Sequence, residues 1–294
     1  MQIRSRKLGE LRQAFRQELA TFYAPEELGA IERELFSFLS GLSPSKMVLE
    51  KDTSLTESQI FTLQRAAKRL KAQEPLQYIL QQAHFRGLDF FVDQRVLIPR
   101  SETEELVGWV MENGIRDGEK VLDVGTGSGC IAISLKKENS GAEVYAVDVS
   151  PDALEVARKN AGKLGVQINF HLLDILNPKF AEELPIYDMI ISNPPYVTPT
   201  DRRLMKDNVT RYEPHLALFV EEDDPLIFYR EIIRFSQAHL VDKGRIFLEC
   251  NERSAMEVAR MLSSAEFKNV EIRKDMKGKE RFVMGAGFRV PDAR

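Results

Sequence analysis

Apolar side chains recur at helical spacing in the first part of the chain. Leu8, Leu11, Phe15, Leu19 and Phe22 form one set, and after Pro25 come Ile31, Leu35, Phe38, Leu39 and Leu42. Each set predicts an amphipathic helix with one buried face. A third helix is expected where Ser54 and Glu57 have capping-box spacing ahead of Ile60, Leu63, Ala67 and Leu70. Its last turn carries Lys68, Arg69 and Lys71, which suits the negative end of a helix dipole, and Pro75 stops it. Residues 1–73 therefore read as a small helical domain.

Between residues 74 and 100 the pattern changes. Phe85, Leu88, Phe90, Phe91, Val92, Val96, Leu97 and Ile98 are aromatic, branched or otherwise apolar, interrupted by Gly87 and Asp93, which predicts a β-hairpin linker. Ser101 and Glu104 then repeat the capping-box spacing, opening a helix through Leu106, Val107, Val110 and Met111 that Gly114 closes.

From Lys120 strands and helices alternate. Strands are expected at Val121–Val124, Val144–Val147, Ile168–Leu172, Tyr187–Ser192 and Arg245–Glu249, and helices from Ser128, over Pro151–Leu164, Leu226–Leu240 and Ala255–Ser263. Such alternation specifies an α/β fold, a mostly parallel Rossmann-like sheet with helices on both faces, over residues 101–294. The last two strands, Val270–Ile272 and Phe282–Met284, have no helix between them, so Lys277-Gly278-Lys279 should join an antiparallel pair.

Composition narrows the class. The 294 residues are 43% hydrophobic and 29% charged, which suits a soluble globular chain. Net charge is −4, split as +3 over residues 1–73 and −7 over the remainder, so no extended nucleic-acid footprint is expected. Cys130 and Cys250 stand far apart without His at ligand spacing, which predicts neither a disulfide framework nor a metal site. A cytoplasmic protein fits, and no apolar run is long enough to span a bilayer. The Arg-rich start resembles a mitochondrial presequence in amphipathicity, although Glu10 and Glu18 argue against one.

Chemistry concentrates at strand ends. Asp123-Val124-Gly125-Thr126-Gly127-Ser128-Gly129 sits where a buried strand turns into a helix, so that backbone and free N–H groups can approach a ligand closely. The dinucleotide fingerprint would need glycine at Cys130, and no Gly-Lys-Ser/Thr of a phosphate loop follows. Asp148 ends the next strand, placed to accept both hydroxyls of a ribose. Asp174-Ile175 ends the third, where a carboxylate could accept an exocyclic amine and an apolar neighbour could cover a ring. On the same rim stands Asn193-Pro194-Pro195-Tyr196. Neither proline has an N–H, so this corner offers mainly acceptors: Asn193 Oδ1 and the Pro194 carbonyl could take both N–H bonds of a planar amide or amino group.

In these motifs the chain resembles the class I S-adenosylmethionine-dependent methyltransferases, and within them the HemK/PrmC family of protein glutamine-N5 methyltransferases. The likeness also includes Glu74-Pro75-Leu76-Gln77-Tyr78-Ile79, Val96-Leu97-Ile98-Pro99-Arg100, Glu102-Thr103-Glu104-Glu105-Leu106-Val107 and Tyr212-Glu213-Pro214. The resemblance implies that Gly125, Thr126, Gly127, Ser128, Gly129, Asp148, Asp174, Ile175 and Asn193 bind S-adenosylmethionine. It also implies that Asn193, Pro194, Pro195 and Tyr196 hold the acceptor, with Asn193, Pro194 and Tyr196 acting catalytically and no metal taking part. The implied partner is a peptide chain release factor, methylated by a monomer at the glutamine of its Gly-Gly-Gln loop, with no direct contact to nucleic acid or membrane; residues 1–73 would be its docking domain. Three departures stand out: Ser101 where the family has proline, Gln81 where it has glycine, and Val220-Glu221-Glu222-Asp223-Asp224 where it has a glycine-rich stretch. The last two are expected to alter loop shape.

Three other readings share these residues. An N6-adenine methyltransferase of nucleic acid would use the same acceptor corner, with Tyr196 stacked on a flipped base. Against it stand the acidic balance and the absence of a separate target-recognition region. A glutamine methyltransferase of a ribosomal protein differs only in its partner, and a silent cofactor-binding scaffold is disfavoured by the intact Asn193–Tyr196 corner.

Overall fold

A computed structural model describes residues 5–177, 184–203, 205 and 207–287, and they fall into two compact units. The first runs to Gln82 and includes the segment ending at Tyr212; the second holds the rest. The outer ends assigned to the two predicted domains, residues 1–4 and 288–294, lie outside the described residues.

The first unit packs helices Leu8–Leu19, Pro25–Ser40 and Glu57–Lys71, with shorter turns at Pro44–Leu49 and Leu76–Leu80, around Leu11, Phe15, Leu35, Phe36 and Leu63. The predicted periodicity holds, with two exceptions: Phe22 and Phe38 are 41% and 46% exposed, and Phe36 fills the core instead. The cap of the third long helix moves as well. Ser54 forms an extended bridge with Lys7, so the chain cannot turn until Thr56, which makes a reciprocal capping box with Gln59. Glu32 lies in the apolar stripe, fully buried, with its carboxylate held by Arg12 and Arg16.

Gln81 ends the turn Leu76–Leu80 in the left-handed region at φ 54°, a conformation in which a Cβ is strained. Glycine is the residue that such a backbone favours, so the loop keeps a glycine-type conformation while carrying a side chain. Gln81→Gly is expected to leave the fold intact and to raise stability by up to about 1 kcal/mol, the left-handed strain less glycine's greater unfolded-state freedom. Denaturant unfolding of the two proteins side by side checks it.

The second unit begins with a hairpin, β1 (Ala83–Phe85) and β2 (Leu88–Phe90), turned by Arg86-Gly87 with both φ angles positive. Seven further strands form one sheet: β3 (Lys120–Val124), β4 (Glu143–Asp148), β5 (Asn169–Leu172), β6 (Tyr187–Ser192), β7 (Leu240–Glu249), β8 (Asn269–Lys274) and β9 (Glu280–Ala286). Their order is β5-β4-β3-β6-β7-β9-β8, parallel throughout except that β9 runs antiparallel to both neighbours. Strand order reverses about β3, whose neighbours β4 and β6 lead away in opposite directions, and at such a switch point the loops at the carboxyl ends part to leave a crevice. Both faces are covered, with Leu106, Val110, Ile131 and Ile133 on one side and Tyr229, Ile232, Val258 and Leu262 on the other.

Two helix starts differ from expectation. The helix Ser101–Glu112 has no side-chain cap, because Arg100 is the last extended residue and Ser101 already lies within the helix. Ser101 Oγ turns to Glu102, and Glu104 Oε1 accepts instead from the Arg86 N–H in the hairpin turn, at 2.6 Å. The helix expected from Ser128 starts at Cys130, since Gly129 (φ 82°) is still left-handed.

Candidate active site

The glycine loop is fastened from beneath. Asp123 is fully buried at the end of β3, and its Oδ2 accepts from Thr126 Oγ1 at 2.6 Å and from the Ala132 N–H at 3.3 Å, which pins both ends of the turn. Burial pushes this carboxyl up to about 7. Gly125 and Gly127, at φ 75° and 54°, would place a Cβ in open space, whereas a Cβ on Gly129 would lie 2.9 Å from Ile133 Cδ1 and 3.3 Å from Ala157 Cβ. The first two glycines thus border the crevice, and the third lets the following helix pack closely.

Asp148, at the end of β4, accepts from the N–H of Gly127 (2.8 Å) and of Ser150 (2.9 Å). Burial raises its carboxyl above the usual carboxylate range. A carboxylate has about four lone-pair sites, so two acceptor positions remain, enough for a cis-diol. Ser192 Oγ, at the end of β6, donates to the Val124 carbonyl at 2.7 Å and draws the Asn193 corner alongside the glycine loop.

Two cavities meet at that corner. The first, about 240 Å³, is bordered by Gly125, Gly127, Asp148, Asp174 and Ile175, with Leu97, Leu216 and Phe228 closing it. The second, about 340 Å³, is bordered by Arg100, Tyr196, Asp201, Asn251 and Arg253. Leu97, Asn193, Pro194 and Ala217 belong to both walls.

Asn193 is held by a buried chain of hydrogen bonds. Its Nδ2 donates to Thr103 Oγ1 at 3.0 Å, Thr103 Oγ1 donates to Glu249 Oε2 at 2.8 Å, and Tyr196 OH donates to Glu249 Oε1 at 3.2 Å. Thr103 and Glu249 are 3% and 1% exposed. Burial pushes the Glu249 carboxyl up to about 7 and raises the Tyr196 phenol. Among the described residues neither Asn193 Oδ1 nor the Pro194 carbonyl oxygen accepts a hydrogen bond. Both remain available to a donor entering the site.

Of the residues singled out in the sequence, Gly125, Gly127, Asp148, Asp174, Ile175, Asn193, Pro194 and Pro195 border the first cavity, and Tyr196 borders the second with Asn193 and Pro194. Thr126, Ser128 and Gly129 border neither: they shape the loop from within. Sequence reasoning missed Arg100 and Glu213, whose ion pair at 2.6 Å, with Glu213 also accepting from the Ile98 N–H at 3.2 Å, ties the Ile98–Arg100 segment to the loop before Ala217. It also missed Thr103 and Glu249. The available signal was a charged residue directly after the apolar run Ile246-Phe247-Leu248.

A seven-stranded sheet with this order, a glycine turn after its first strand and an acidic residue closing the next define a class I methyltransferase. A methyltransferase domain family matches residues 115–274, and the PrmC N-terminal domain family matches residues 10–80. The chain belongs to the release factor glutamine methyltransferase family. It is 39% identical over 276 residues to the release factor glutamine methyltransferase of Flavobacterium psychrophilum, covering 92% of this chain and 96% of that one. It is also 39% identical over 268 residues to that of Bacteroides thetaiotaomicron, covering 91% and 96%. A crystal structure of a methyltransferase from Pyrococcus furiosus shares the fold with a TM-score of 0.50 at 16% identity, covering 80% of this chain and all of that one.

Proposed function

We propose that this enzyme methylates the side-chain amide nitrogen of the glutamine in the Gly-Gly-Gln loop of a peptide chain release factor, using S-adenosylmethionine. The observation that carries this reading is the shared wall: the two cavities have Asn193 and Pro194 in common, which would set a cofactor in the first beside an acceptor in the second. The first cavity fits the cofactor in chemistry, with open backbone at Gly125 and Gly127, two spare acceptor positions on Asp148, and Asp174 beside Ile175 for an amine-bearing ring. S-adenosylmethionine, when bound, supplies an electrophilic sulfonium methyl group.

The chain's own residues address the acceptor. A glutamine amide nitrogen is a poor nucleophile because its lone pair is delocalised into the carbonyl. Asn193 Oδ1 and the Pro194 carbonyl accept its two N–H bonds, orient the nitrogen, and stabilise positive charge developing on it with dipoles fixed beforehand. Tyr196 narrows the second cavity around the side chain. No strong base is needed, since the N-methylated nitrogen is left as a cation that still carries both its protons and is acidic enough to pass one of them to water. The helical unit, matching the PrmC N-terminal domain, serves to dock the protein partner.

Incubation with methyl-labelled cofactor and, separately, a release factor, the same factor with its Gly-Gly-Gln glutamine changed to alanine, a ribosomal protein and duplex DNA tests the reading. Label is expected on the intact release factor alone. Label on the ribosomal protein or on DNA would move the assignment to that acceptor.

A further inference from the structure

Asparagine can hold an acceptor amide only if its own oxygen, not its NH2, faces the site. The two ends of a carboxamide are nearly isosteric, so something must fix which way it points. In this enzyme the neighbour of Asn193 is Thr103 Oγ1, a hydroxyl that can either donate or accept toward it. By itself Thr103 selects nothing. Beyond it stands Glu249, whose carboxylate when ionised can only accept. A single proton on Thr103 Oγ1 is then committed to Glu249 Oε2, its lone pair must take a proton from Asn193 Nδ2, and Asn193 Oδ1 is left outward.

We propose that Thr103 and Glu249 are positioning residues for methyl transfer, the Glu249 carboxylate setting through the Thr103 hydroxyl the orientation of the Asn193 carboxamide, and through the Tyr196 hydroxyl that of the Tyr196 ring. The inference rests on the acceptor role of Asn193 given above. Both carboxylate oxygens are engaged, Oε2 by Thr103, which carries the constraint on to Asn193, and Oε1 by Tyr196, and the Glu249 backbone carbonyl accepts from Tyr229 OH at 3.2 Å, which holds the strand end in place. Protonation undoes the arrangement. A carboxylic O–H can donate to Thr103, which then donates to Asn193 in turn, and the amide settles with NH2 pointing at the acceptor's own N–H bonds.

Burial raises the Glu249 carboxyl to about 7, so this loss falls within an accessible pH range. The groups around it pull both ways. Arg281 on β9 favours the charged form, as do the hydrogen bonds from Thr103 and Tyr196, while Glu102 on the helix Ser101–Glu112 opposes it; Cys250 and Tyr229 adjoin without charge. Because ionised Glu249 is the active form, turnover should fall as pH drops through about 7 and recover above it.

The experiment is kcat, KM for the release factor and cofactor affinity by calorimetry, from acid to alkaline pH, for the wild type, Thr103→Val, Thr103→Ser and Glu249→Gln. Thr103→Val should lower kcat about 10- to 100-fold at every pH, the scale of one unpaired buried polar group, with cofactor affinity within about threefold. Thr103→Ser, which keeps the hydroxyl, should stay within about threefold of wild type in kcat, a rescue that a packing role of the threonine methyl would not give. Glu249→Gln cannot change charge, so the acid limb of kcat should disappear; KM should move little in all three. An unchanged acid limb in Glu249→Gln, or an undiminished kcat in Thr103→Val, overturns the proposal while leaving the methyltransferase reading in place. A wild type that transfers no label to the release factor overturns that reading instead. If Thr103→Val does not fold, the limb in Glu249→Gln and the Thr103→Ser kcat still decide.

Discussion

Replacing Asn193 by alanine is expected to lower turnover by about 10²-fold or more while leaving cofactor affinity within several-fold of wild type. Both cavities lose a wall, but unequally. On the cofactor side the side chain is one of many contacts, and the groups that offer directed hydrogen bonds there, Asp148 and Asp174, are untouched. On the acceptor side it supplies one of two oxygens proposed to meet the glutamine amide, and the other, the Pro194 carbonyl, cannot orient a planar NH2 group by itself. The missing interaction is worth most as charge develops on nitrogen, so kcat should suffer more than KM for the release factor. Single-turnover transfer of label from the preformed cofactor complex measures this directly. Unchanged turnover would remove Asn193 from the chemistry and with it the acceptor corner.

Much of the architecture was legible because burial imposes periods on a chain. The runs Val121–Val124 and Tyr187–Ser192 could only be buried strands, and the sets at Leu8–Leu19 and Ile31–Leu39 could only be amphipathic helices. What alternation leaves undetermined is which strand lies beside which; the switch at β3 that opens the crevice is a property of the order β4-β3-β6, which no local pattern encodes. Caps were misplaced for a related reason. Ser54 and Ser101 have the chemistry of a cap, but Ser54 is held extended against Lys7, and Glu104 finds a better donor in the hairpin turn. The segment Asp207–Tyr212, which joins the helical unit, is too short for any period to show. At the site, the glycine motif identifies a loop without saying which residues face outward: Gly125 and Gly127 border the cavity, whereas Thr126 and Ser128 are buried within the turn. Thr103 and Glu249 stand 146 positions apart, and only the packing of the helix Ser101–Glu112 against β7 brings them to one hydrogen bond.

Asp148→Ala should weaken S-adenosylmethionine binding by about 10²-fold, with turnover at saturating cofactor reduced much less. Two hydrogen bonds from ribose hydroxyls to an ionised carboxylate contribute roughly 1.5–3 kcal/mol each, and the loss of both accounts for that factor or more. A second effect adds to it: the Gly127 and Ser150 N–H groups lose their acceptor, so the glycine loop gives up the tie that fixes its shape against β4. Asp148→Asn keeps the shape of the side chain while removing one acceptor oxygen. Its one remaining oxygen can serve either the backbone N–H groups or the diol, while its NH2 group faces donors whichever way it turns, so it is expected to bind cofactor nearly as poorly as Asp148→Ala despite being almost isosteric. Calorimetric titration of S-adenosylmethionine into the two variants decides the matter. Wild-type affinity in Asp148→Asn would mean that the ribose is held from elsewhere.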